Sequence, residues 1–253
     1  MNRPKLLARS PVLLFWLLAM PVFAGGGTGL PQPLAPFEAR YQVTDGSVRV
    51  GEAAFALEAD GEAWRYYSRV KPEGLYALLV GSVEDMAWLE MHDGALRPVR
   101  FIHDEDGDKD DIRIDFEWSE GTARIRRRGQ ESSLSITPGT HDQFSAMLAV
   151  MQAFASGHER LQLPSIDDGG EAEPLTFVRE GSTSVKTPSG TFDTVHVQRV
   201  RKNSKRETES WLAPELGWIP VRIDQSKKGE LVARMELIGL NGDNADLSAD
   251  SPR

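Results

Sequence analysis

The sequence predicts a mainly β protein: a curled antiparallel sheet or open β-barrel of roughly a dozen strands around one buried central helix. Three observations predict it. Apolar residues recur at every second position through most of the chain, as on a half-buried strand. Asp-Gly and Ser-Gly pairs punctuate those runs where hairpins need turns. One segment alone switches to helical spacing.

The elements follow in order. Arg3, Lys5 and Arg9, the apolar run "VLLFWLLAMPVF" and the small residues of Val22-Phe23-Ala24 read as a secretory signal peptide over 1–24. The apolar run is shorter than the roughly 20 residues a membrane-spanning helix needs. A Gly/Pro-rich flexible leader is expected over 25–36, one β-rich domain over 37–240 and a polar tail over 241–253. Phe37, Ala39, Tyr41 and Val43 open the alternation, and Asp45-Gly46 turns it. Val48, Val50, Phe55 and Leu57 carry the next strand to Asp60-Gly61. Trp64, Tyr66, Ser68 and Val70 then alternate with Arg65, Tyr67 and Arg69. Further runs are "MAWLEM", "LRPVRFIH", "DIRIDFEW", "ARIRRR", "SLSI", "LTFVREGSTSV", "DTVHVQRV", "TESWLA", "WIPVRIDQ" and "LVARMELIGL". Between "TESWLA" and "WIPVRI", "PELG" is a tight turn. Pro220 cannot donate to a sheet ladder, which predicts an edge strand or a bulge there.

The exception is "PGTHDQFSAMLAVMQAFASG". Thr140 and Gln143 have capping-box spacing, and Gly157 can end the helix. Phe144, Met147, Leu148, Met151 and Phe154 form one stripe, with alanines over much of the rest. A helix apolar nearly all round is buried on more than one side. It is either plain core or the wall of an apolar ligand trough. The run Leu75, Tyr76, Leu78, Leu79, Val80 interrupts what should be a polar connection. It reads as a short helix closing one end of the barrel, or as the lip of such a trough.

Composition narrows the chemistry. Cys is absent, which excludes disulfides, thiolate catalysis and cysteine metal sites. Without residues 1–24 and their three basic residues, the formal net charge falls from −9 to −12. That disfavours nucleic acid as a partner. The five histidines show no metal-ligating spacing. "HDEDGDKDD" (103–111) mimics the start of a calcium loop, but Lys109 stands where glycine is needed and no closing glutamate follows. It reads as a hairpin tip. No nucleophile elbow, phosphate loop or dinucleotide motif is present. Two basic clusters, Arg124 with Arg126, Arg127 and Arg128, and Arg199 to Arg206, protect a sheet face or dock an anionic partner.

The order of "FEARYQVTDGSVRVGEAAFAL", "YYSRVKPEGLYALL", "RPVRF", "PGTHDQFSAMLAVMQA", "TPSGTFDTVHVQRVR" and "WLAPELGWIPVRI" resembles the exported bacterial domain-of-unknown-function 3108 family, from about Phe37 to Leu240. The resemblance implies a periplasmic β-rich protein and supplies no activity. More loosely, a curled sheet around an apolar helix is similar to periplasmic lipoprotein carriers. The expected function is non-enzymatic binding of a lipid or other amphiphilic envelope component by a soluble periplasmic protein. Leu75, Tyr76, Leu79, Phe144, Met147 and Met151 are its candidate residues, with no cofactor and no metal. The alternative is an envelope scaffold with a filled core. A hydrolase acting on envelope glycan or lipid is third.

Overall fold

The computed structural model describes residues 34–74, 76–78, 81–106, 111–201 and 204–241. The expected signal peptide, most of the leader, most of the tail, and residues 107–110 of the acidic turn lie outside the described residues. The first part of the domain is a meander of eight strands, each pairing antiparallel with the next. These are β1 (Phe37–Asp45), β2 (Val48–Asp60), β3 (Ala63–Pro72), β4 (Val83–His92), β5 (Ala95–Glu105), β6 (Ile112–Glu117), β7 (Thr122–Arg127) and β8 (Gln130–Ser135). The chain then crosses the sheet through β9 (His141–Asp142), helix α1 (Ala146–Ala155), β10 (Arg160–Leu163) and β11 (Ser165–Ile166). A second meander finishes the domain: β12 (Leu175–Thr187), β13 (Gly190–Val200), β14 (Arg206–Ala213), β15 (Ile219–Lys227) and β16 (Glu230–Leu240).

One 14-stranded sheet results, in the order β10-β12-β13-β14-β15-β16-β1-β2-β3-β4-β5-β6-β7-β8. The first and last strands are therefore neighbours in its middle, with Tyr41 opposite Leu237. Its edges are β8 and β10, which do not pair with one another, so the curl stays open. β9 and β11 form a separate parallel pair.

Alternation decides which side chains enter the curl. Register sets Leu57, Tyr66, Ala87, Phe101, Ile114 and Ile125 side by side across β2 to β7. All six are buried. The helix packs against both meanders, which is why it is apolar nearly all round. Leu148 and Met151 join the cluster built on that row, whereas Ala146, Val150 and Phe154 pack with Leu175, Phe177, Val195, Val197 and Leu212.

The expected capping box does not form. The Thr140 hydroxyl donates to the Thr137 carbonyl at 2.7 Å, closing a turn, and α1 starts only at Ala146. Asp142 serves the approach instead, its Oδ1 accepting the Ser145 N–H at 2.7 Å. Proline at 220 behaves as its missing N–H requires: β15 lies inside the sheet, and the pairing slips beside Pro220, opposite Trp211 and Leu212. The long β12–β13 hairpin bends across the sheet. Ser189, at its tip, donates from N–H and Oγ to the Leu237 carbonyl at 3.2 and 3.0 Å, bypassing β14 and β15.

Candidate functional site

The stretch that joins β14 to β15 builds one end of the curl. Pro214–Leu216 makes a single 3₁₀ turn. Gly217 and Trp218 follow with φ of 72° and 67°, both left-handed. Glycine adopts that conformation freely, whereas an L-residue such as tryptophan is strained there by about 1–2 kcal/mol. The Trp218 N–H bonds the Ala213 carbonyl at 2.9 Å, which holds the reversal shut. The two tryptophans of this region are thus architectural: Trp218 packs on both apolar clusters, and Trp211 stacks on His196 with ring centroids 4.6 Å apart.

Behind that turn is a cavity of about 310 Å³. Met151 of α1 lines it, with Phe37, Leu216, Ile219, Leu240 and Leu34 among its walls. Its volume lies near the lower bound of ligand pockets, about 300–1,000 Å³. A second hollow, of about 180 Å³, lies at the opposite end. Val43, Val70, Val83, Pro72 and Tyr76 line it, and the Tyr76 hydroxyl donates to Asp45 at 3.2 Å. Phe37 at the start of β1 and Val43 near its end lie about 20 Å apart at the usual rise per residue.

The candidate residues read from the sequence are thus distributed. Met151 lines the larger apolar cavity, and Tyr76 lines the hollow at the other end. Phe144 lies between them in an aromatic stack, 4.3 Å from Tyr66 and 6.3 Å from Phe55 by ring centroids. Met147 is half-buried against both clusters. Leu75 and Leu79 lie outside the described residues.

A polar layer interrupts the apolar interior one inward position beyond Tyr66, Ala87 and Phe101. Register places Ser68, Asp85 and His103 side by side on β3, β4 and β5. The Ser68 hydroxyl donates to Asp85 Oδ2 at 3.2 Å, and His103 Nδ1 lies 2.7 Å from Asp85 Oδ1. That hydrogen bond holds the imidazole pKa above its ordinary value. Asp168, from the loop after β11, faces the pair, its pKa raised by burial. The loop presses on the sheet: a Cβ on Gly170 would meet Ile125 Cγ2 at 2.9 Å. Across the interior, Arg199 donates to Glu173 at 2.9 Å and to Gln143 at 3.0 Å, and Gln143 donates to Glu173 at 2.8 Å. Burial lowers the Arg199 pKa to about 10. One arginine of the second basic cluster is therefore an internal strut.

His141, Asp142 and Ser145 hold a serine, a histidine and an aspartate together, but in the wrong order for a nucleophile. Ser145 Oγ donates to Asp142 Oδ2 at 2.5 Å, and His141 Nδ1 lies 3.3 Å from that same Oγ. The hydroxyl proton goes to the carboxylate, not to the imidazole. Ser145 and Asp142 are both 0 % exposed, so substrate has no access. Burial sets both pKa values, lowering His141 to about 4 and raising Asp142 to about 6. No group of three or more metal-ligating side chains is assembled among the described residues.

Sequence reasoning missed the Ser68–Asp85–His103 row, although each member carries a signal. Ser68 shares the apolar phase of Tyr66 and Val70, Asp85 that of Val83 and Ala87, and His103 that of Phe101. A charged side chain on the buried phase of a strand needs a partner, and neighbouring strands supply one here.

Fold and cavities together define an open, β-barrel-like sheet protein with an internal helix. A β-barrel-like protein of domain of unknown function DUF1849 from Brucella abortus shares the fold, with a TM-score of 0.55 at 14% identity over 84% of this chain and 99% of that one. A protein with YmcC-like fold from Bacteroides fragilis aligns over 83% of this chain and 97% of its own, at 12% identity and a TM-score of 0.36. The chain belongs to the DUF3108 family, described as protein of unknown function, whose model matches residues 37–237. No curated protein sequence matches it.

Proposed function

We propose that this is a non-enzymatic periplasmic protein that holds the apolar part of a lipid or other amphiphilic envelope molecule in the cavity beside Met151. The observation that carries the reading is that cavity: about 310 Å³ of space against the helix, with Phe37, Leu216, Ile219 and Leu240 among its walls. Apolar surface of this kind gains by receiving an acyl segment, at roughly 25 cal/mol for each Å² removed from water. A methionine suits a variable ligand because its thioether chain adapts its shape. The signal-peptide pattern of residues 1–24 supports the compartment. Among the described residues no helix is long and apolar enough to cross a membrane.

Titration with a fluorescent fatty acid tests it. Wild type is expected to take up the probe saturably, and Leu216→Trp, which fills the cavity from the turn, to weaken uptake about tenfold or more while leaving the melting temperature nearly unchanged. Absence of saturable uptake, or equal uptake by Leu216→Trp, sinks the reading. It would leave the alternative of an envelope scaffold with a filled core, which the Phe144 stack across the middle of the curl favours.

A further inference from the structure

The depth of the cavity beside Met151 and the polar groups at its mouth select among amphiphiles. We propose that it takes an acyl chain of about ten carbons on an uncharged head (an ester, amide or alcohol) in preference to a free fatty acid. The inference rests on the reading of that cavity as a lipid site and names the class of lipid.

Depth is the first argument. A methylene fills about as much space as a water molecule, whose share of the liquid is about 30 Å³. A cavity of about 310 Å³ therefore holds roughly ten chain carbons. Its inner wall does not yield to a longer chain. Met151 is 1% exposed, and Leu148, one helical turn before it, belongs to the same packed cluster. Further in, Phe144 stacks on Tyr66 with ring centroids 4.3 Å apart and closes the middle of the curl.

The mouth is the second. Two polar side chains line the cavity, Glu215 and Asn241. Glu215 is exposed in the 3₁₀ turn that the Trp218 N–H holds shut on the Ala213 carbonyl. Asn241 is clipped to β1: its N–H donates to the Glu38 carbonyl at 2.8 Å, and its Oδ1 accepts the Glu38 N–H at 2.9 Å. That leaves its Nδ2 as the donor. The mouth thus offers one acceptor and one donor, which suits a carbonyl beside a hydroxyl or N–H. Among the described residues that line the cavity, Glu215 alone carries charge. Of the charges nearby on β1 and β2, Glu38 is offset by Arg40, and Glu58 pairs with Arg65 at 3.2 Å. A carboxylate head therefore meets like charge. At about 4 Å in water that repulsion amounts to roughly fivefold in affinity.

The test uses the mature protein loaded with the fluorescent fatty acid. Monoacylglycerols and free fatty acids of increasing chain length displace the probe, each below the concentration at which it aggregates. Affinity is expected to rise about threefold to fourfold per methylene and to level off at about ten carbons. At equal chain length the monoacylglycerol should bind about fivefold more tightly than the acid. Glu215→Gln should remove that preference and Glu215→Lys should reverse it, both with the melting temperature of wild type. An affinity that keeps rising well beyond about ten carbons overturns the proposal. So does an acid that binds as tightly as its monoacylglycerol, or a preference that Glu215→Lys leaves unchanged. Those results leave the lipid site itself standing as long as the probe is taken up saturably and lost in Leu216→Trp. No saturable uptake removes both.

Discussion

Where β1 begins, Phe37, Met151, Ile219 and Leu240 face one another across an apolar cavity. Where β5 ends, His103, Arg113, Arg126 and Arg127 line a cleft three times as large, with Asp85 behind the histidine. One sheet with one alternation builds both ends. Part of the difference lies in the inward phase, with Tyr66, Ala87 and Phe101 at one level and Ser68, Asp85 and His103 at the next; Arg113 and Arg126 belong to the outward phase of the rim around that cleft. Helix α1 supplies Met151 to the first end and does not reach the second. Burial of apolar area therefore holds the β1 end and the middle, whereas the rim carries ion pairs that range from those on the buried Asp115 to the exposed ones on Glu131, which contribute little. Stability and the charge of the rim should be separable by mutation.

The largest effect should come at the boundary between the two ends. Phe144 stacks on Tyr66 and reaches Phe55 and Phe101, so Phe144→Ala should cost about 3–5 kcal/mol in denaturant unfolding. A loss under about 1 kcal/mol would show that the middle of the curl is not packed, and the contrast would fail. A smaller effect is directional. Asp142 titrates near 6 when folded and near 3.8 when unfolded, so the folded state holds more protons between those values. Its contribution to stability falls as pH rises from about 4 to about 6. His141 titrates near 4 when folded and 6.5 when unfolded, so there the unfolded state holds more protons. Its contribution rises with pH over nearly the same window, and in wild type the two oppose. His141→Gln should therefore lose stability from pH 4 to 6, and Asp142→Asn should gain it. Slopes of the same sign in both variants would contradict the buried pairing. The smallest effect should be at the rim. Glu131 is 54% exposed and braces Arg126 and Arg124, so Glu131→Gln should change stability by less than about 1 kcal/mol. A larger loss, measured by thermal melting, would mean that the rim is structural.

Much of this architecture is legible in the chain. Strands show themselves because one face of each is buried, and the helix because it alone is apolar on every side. The Asp45-Gly46 and Asp60-Gly61 turns announce their hairpins. Pairing order is not legible beyond neighbours: nothing local says that Tyr41 meets Leu237 across nearly two hundred residues. The cavity beside Met151 escapes for the same reason, since its walls come from four distant segments. Met151 was readable as apolar, but helical spacing cannot show whether a methionine faces a neighbour or a void. The helix start was misplaced because Thr140 and Gln143 match a capping box in spacing, while a turn and an Arg199–Glu173 partnership claim their side chains first.

The pairing of β1 with β16 also imposes a timetable on folding. Strands β1 to β8 can pair in the order in which they are synthesised, each with the hairpin partner just made. The other edge of β1 must wait for the last strand of the domain, as must that of β15. Until then the nascent sheet carries two unpaired edges besides those of β8 and β10, and they invite pairing with other chains. Closing the seam spans almost the whole domain, a long-range step that is slow relative to hairpin formation. A chain stopped before Glu230 would keep most of its strands yet present both halves of the seam as open edges, so it should aggregate rather than persist as a smaller version of the same fold.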